Sequence, residues 1–116
     1  MGIFRRRTRN AAENSVAIVF DDEGARRLYL GETTHRVSWA ELERIAIRTT
    51  DDGPFAEDLF WVLLGSGGTG FVIPSALVPD GLVERLQQLP GFDNHAVIEA
   101  MQSVTENVFV AWRRQS

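Results

Sequence analysis

The stretch DLFWVLLGSGGTGFVIP, residues 58–74, decides how this chain folds. Leu59 to Leu64 is an unbroken run that is apolar on both faces, which predicts a central strand covered from both sides. Gly65-Ser-Gly-Gly-Thr-Gly70 then turns the chain, and Phe71 to Ile73 returns it until Pro74 ends the strand. Gly65, Gly67 and Gly70 match G-x-G-x-x-G letter for letter. A dinucleotide site, however, needs that loop to open a helix whose N-terminal amides hold the pyrophosphate. A strand follows here instead, so the loop reads as a hairpin turn and the sheet as antiparallel.

Strand signals continue upstream. Val16 to Phe20 is a short β-branched run, and Asp21-Asp-Glu-Gly24 predicts a turn with Gly24 available for positive φ. Arg26 to Leu30 alternates, completing a hairpin with 16–20. After a turn at Gly31-Glu32, Thr33 to Trp39 resumes period two, with His35, Val37 and Trp39 on one face, where His35 is expected to be packed or hydrogen-bonded. Ser38-Trp-Ala-Glu41 matches the capping box, and Leu42 and Ile45 follow at helical spacing, so a short helix is expected near 39–44. Ile45 to Thr50 alternates again before the turn residues Asp51-Asp-Gly-Pro54.

Downstream the period changes. Leu82, Val83, Leu86 and Leu89 form one face of a helix over 80–89, with Asp80 as its N-cap and Pro90-Gly91 as its stop. Asp93 caps a second helix over 93–104, whose apolar face is Val97, Ala100, Met101 and Val104. Val108 to Trp112 reads as a closing strand, although Val97, Met101, Val104, Val108 and Trp112 also keep a helical stripe. The expected fold is α+β: a single domain over 15–113 with five to seven short, mostly antiparallel strands in a sheet or partly open barrel, preceded by a flexible leader over 1–14.

Charge is distributed unevenly along the 116 residues. The chain carries 12 basic and 16 acidic side chains for a net −4, and every cation is Arg. Arg5, Arg6, Arg7 and Arg9 lie in the first ten residues, which hold no acid, so the rest balances 8 Arg against 16 acids. The leader lacks the apolar core of a secretory signal and has Arg6 where N-myristoylation needs Ser or Thr. No run approaches the 18 or so apolar residues of a membrane span. A cytoplasmic protein is expected, and contact with anionic lipid falls to Arg5, Arg6, Arg7 and Arg9. Nucleic-acid binding is disfavoured by the acidic body and by the lack of basic–aromatic interleaving beyond the leader.

Motifs for chemistry are sparse. With zero Cys there are no disulfides, thiolate metal sites or Cys nucleophiles. His35 and His95 have no carboxylate or nucleophile at a recognisable spacing, and no catalytic residue, metal ligand or cofactor is assigned. A small enzyme with a spatially assembled site is a remaining alternative. Asp51, Asp52, Glu57 and Asp58 surround Pro54 and Phe55 but lack the alternating oxygens of an EF-hand loop. Asp51, Asp52, Phe55, Glu57 and Asp58 therefore read as the surface that meets a basic protein partner.

Val37-Ser-Trp-Ala-Glu-Leu42 with Ile45 resembles the strand–turn–strand step of bacterial pleckstrin-homology-like (PH-like) domains, where a Trp precedes a short acidic turn. Residues 49–61 and Leu89-Pro-Gly-Phe-Asp-Asn94 are similar to stretches of small bacterial proteins of uncharacterised role. The resemblance spans about 16–112, with the closing strand as a departure from it. It carries no catalytic or ligand motif, and so implies a binding scaffold. A non-catalytic interaction module is the expected function, with an immunity or antitoxin protein as one form of it. A PH-like module on anionic lipid is the other binding alternative.

Overall fold

The computed structural model describes residues 15–51 and 59–115. The acidic turn beyond Asp51 and the basic leader, with Asp52, Phe55, Glu57, Asp58, Arg5, Arg6, Arg7 and Arg9, lie outside the described residues.

Two local turns build the first sheet. Strand β1 (Val16–Phe20) meets β2 (Gly24–Tyr29) in register, with Phe20 opposite Ala25 and Val16 opposite Tyr29. Asp21 Oδ1 accepts from the Glu23 and Gly24 amides at 2.9 and 3.2 Å, the side-chain closure that makes Asp a turn residue. Gly24 has no positive φ. It is needed because it sits in β2, where a Cβ would overlap the Val37 carbonyl of β3 (Glu32–Ser38). Leu30 (φ 53) and Gly31 (φ 83) form the two-residue link from β2 to β3, both left-handed as a type I′ hairpin requires.

No helix forms near 39–44. The capping-box bonds are present, with Glu41 N donating to Ser38 Oγ at 3.0 Å and Ser38 N to Glu41 Oε1 at 3.2 Å. They close a single turn, after which β4 (Leu42–Thr49) begins at once. The β-branched alternation that follows is taken by the sheet, which recruits Leu42 into its ladder opposite Gly65.

The second sheet has the order β6-β5-β4-β7, all antiparallel, from β5 (Leu59–Gly65), β6 (Gly70–Pro74) and β7 (Asn107–Arg113). The closing segment is thus a strand, paired with β4 rather than extending a helix. Between β6 and β7 the chain forms helices α1 (Leu82–Gln87) and α2 (Asn94–Gln102). Gly81, at φ 89, is the N-cap of α1 in place of Asp80, whose side chain makes no cap bond. Asp93 caps α2 as expected, accepting from His95 N and Ala96 N. α2 ends at Gln102, which leaves Val104 beyond it and 82% exposed; its buried face is Ala96, Val97 and Ala100, and Met101, within the helix but off that face, is 66% exposed.

One core joins everything. Ile18, Ala25 and Val37 of the three-stranded sheet pack with Ile45, Ile47, Trp61, Leu63 and Ile73 of the four-stranded sheet and with Leu82, Leu86, Val97 and Trp112. The fold is a single α+β domain of seven described strands in two antiparallel sheets, without a closed barrel. The indoles are anchored at the edges of that core. Trp39 Nε1 donates to Asp21 O at 2.9 Å and Trp112 Nε1 to Pro90 O at 2.8 Å, so each buried ring keeps its polar atom satisfied.

Candidate functional site

Strand alternation gives β4, β5, β6 and β7 one face toward the core and one away from it. The inward set is Ile45, Ile47, Trp61, Leu63, Phe71, Ile73 and Trp112, all buried. The outward set is also largely apolar and partly exposed, with Ala46 buried at its centre. Register aligns it in three rows across the sheet. Val72, Val62, Ala46 and Val110 form the middle row; Pro74, Phe60, Arg48 and Val108 flank it on one side, and Gly70, Leu64, Arg44 and Arg113 on the other. Leu64 is 37%, Val72 47% and Val108 58% exposed. The expectation that β5 is covered on both faces is therefore corrected: its second apolar face is only partly covered, with Phe60 and Val62 half-buried and Leu64 exposed.

Arginines frame this strip. Arg48 lies 5.9 Å from the Phe60 ring centroid and 3.9 Å from Glu106, an exposed ion pair of little energetic weight. Arg44 and Arg113 stand directly opposite each other on neighbouring strands. With Arg114 and Glu43 they line an open hollow of about 570 Å³, whose other wall is Leu64, Gly65, Gly68 and Thr69. Arg114 is held in place: Nε donates to Leu42 O at 2.7 Å, and the Nη2 group to Trp39 O and Ala40 O at 2.9 and 3.0 Å. Its guanidinium also lies 5.6 Å from the Trp112 ring centroid.

A second basic hollow, about 300 Å³, lies on the outer side of the three-stranded sheet. Arg26 and Arg36 face each other there, with Asp21 and Glu23 at the rim. The Asp21 carboxyl is held below its ordinary value, first by the Glu23 and Gly24 amides and then by the charges of Arg26 and Arg36.

The candidate residues of the sequence are dispersed. Asp51 is exposed at the end of the described part of its loop. His35, expected to be packed or hydrogen-bonded, is exposed and hydrogen-bonded: its Nδ1 is 3.1 Å from Thr34 Oγ1, and its ring lies 6.4 Å from that of Phe71. It shares a face with Val37 but lies further from the turn, where β3 runs past the core. His95 Nδ1 is 3.8 Å from Glu99 Oε1 on the exposed side of α2. Among the described residues no group of three His, Asp or Glu side chains is gathered as a metal site. Arg44, Arg48 and Arg113 belong to no motif, although Arg44-Ile-Ala-Ile-Arg48 carries a signal: both arginines share a strand face with Ala46.

No family model matches this chain, and comparison with curated proteins and with solved structures likewise found no match.

Proposed function

We propose that this protein is a non-catalytic protein-interaction module and that its docking surface is the outward face of the four-stranded sheet. The single observation that carries the reading is the outward apolar face around Ala46, where Leu64, Val72 and Val108 are exposed and Val62 and Val110 are half-buried. Contiguous apolar surface of this kind marks an interaction site more often than an isolated exposed side chain does. The arginines on either side set the partner's chemistry: an apolar ridge bordered by carboxylates. Arg44, Arg48 and Arg113 then contribute orientation and association rate more than raw affinity.

The test is capture of partners from source cells by the full chain and by Val72→Gln/Val108→Gln. The reading expects a partner that wild type retains and the double variant loses, with binding that weakens as salt rises. A partner held equally by both chains overturns the surface. A concentration-dependent dimer abolished by the same substitutions makes the partner a second copy of this chain.

The acidic segment Asp51, Asp52, Phe55, Glu57 and Asp58 supports a second surface, facing a basic protein such as the target of an immunity protein or antitoxin. That proposal rests on sequence alone. Reversing its four acids to Lys without loss of any partner removes it. Lipid binding through Arg5, Arg6, Arg7 and Arg9 is separable by liposome co-sedimentation of the full chain against one starting at Asn14.

A further inference from the structure

We infer that the hollow between β4, β7 and the Gly65–Gly70 turn binds a small phosphorylated molecule, through Arg44 and Arg113 at the edge of the apolar strip. Like charges directly opposite each other on adjacent strands destabilise a sheet, and Arg44 and Arg113 are such a pair. The two ion pairs of the described residues are Arg48 with Glu106 and His95 with Glu99, so neither member of the arginine pair is neutralised by a carboxylate within 4.0 Å. Arg114, which completes the cluster, spends its hydrogen bonds on neutral carbonyls and keeps its full charge in a fixed position. Three cations against Glu43 leave the hollow with an excess of two positive charges.

That excess selects the ligand. A phosphate monoester carries about −1.5 to −2 at neutral pH, and guanidinium groups present their donors in a fork that fits its oxygens. A carboxylate offers half the charge. The hollow, at about 570 Å³, is larger than a phosphate group and leaves space beside Leu64 for a small organic body. On the opposite wall Gly68 exposes backbone with open space beside it. The hollow of Arg26 and Arg36 lacks this imbalance, because Asp21 interacts with both of its arginines and Glu23 also stands at its rim.

The test titrates the isotope-labelled full chain with phenyl phosphate, and in parallel with benzoate, at constant ionic strength. Saturable shifts of the Gly65, Gly68 and Thr69 amides are expected, with phenyl phosphate about tenfold or more tighter than benzoate. Arg44→Gln/Arg113→Gln should weaken phenyl phosphate by about tenfold or more, the scale of losing charge-assisted hydrogen bonds. The same variant should melt at or above the wild-type temperature, since a like-charge pair has been removed, which separates lost binding from lost folding. Arg26→Gln/Arg36→Gln and Val72→Gln/Val108→Gln should bind as wild type does, so failure of the protein-docking surface leaves this result intact. Shifts without saturation, benzoate binding as tightly, or affinity that survives Arg44→Gln/Arg113→Gln would each overturn the proposal.

Discussion

Thr49 and Thr50 are adjacent, both buried, and energetically opposite. Thr49 Oγ1 donates to Thr105 O at 2.7 Å and lies 3.3 Å from Ser103 Oγ, linking the end of β4 to the connection between α2 and β7. Thr50 Oγ1 is buried without a hydrogen-bond partner among the described residues. A buried hydroxyl that loses its partners, or never has them, costs about 1–3 kcal/mol. Thr49→Val should therefore destabilise by about 1–2 kcal/mol in urea unfolding, while Thr50→Val should be neutral or stabilising by up to about 1 kcal/mol. Asp21 gives a prediction in pH. Its folded-state pKa lies below the ordinary 3.8, so its contribution is present above that value and lost as pH falls through the folded pKa. Asp21→Asn keeps the turn acceptor but does not titrate. Its urea midpoint should fall below wild type at pH 6, and the two should converge toward pH 2. A gap that is constant with pH would refute the assignment.

At the scale of elements, the four-stranded sheet has two apolar faces with different consequences. Ile73 and Val72 are neighbours on β6, yet Ile73 is fully buried and Val72 is 47% exposed. Ile73→Ala should cost about 2–5 kcal/mol, the usual loss for a large core side chain. Val72→Gln and Val108→Gln should each change stability by no more than about 0.5 kcal/mol, as exposed positions do. Thermal melts of the three variants check this, and a large loss at Val72 would mean that the outward face is packed after all. The turn at Ser38 and Glu41 shows the same dependence on the sheet. Both capping-box bonds form, but the alternating residues after them belong to a strand, and the sheet prevails over the local helix signal. Hairpins are legible in the sequence because turn chemistry and period two are both local. The helix expected near 39–44 is absent because a cap satisfies two amides without fixing the conformation of the residues beyond it.

At the scale of the whole molecule, residues from both sheets and both helices share one core, which leaves no subset with a core of its own. Trp39, Trp61 and Trp112 are all part of it. Indole fluorescence and far-ultraviolet circular dichroism should therefore report coincident urea transitions, and separated midpoints would show that the sheets unfold independently. Sequence alone determined most of the strand segments, though not the start of β4, together with the Asp93 cap, the Gly65–Gly70 turn and the absence of thiol chemistry, because each depends on residues close in the chain or on composition. Only the tertiary structure decided which apolar face is left partly exposed and which arginines meet. Both depend on pairing between distant segments: β7 returns past two helices to lie beside β4, so Arg44 and Arg113 face one another across a ladder that no local pattern specifies.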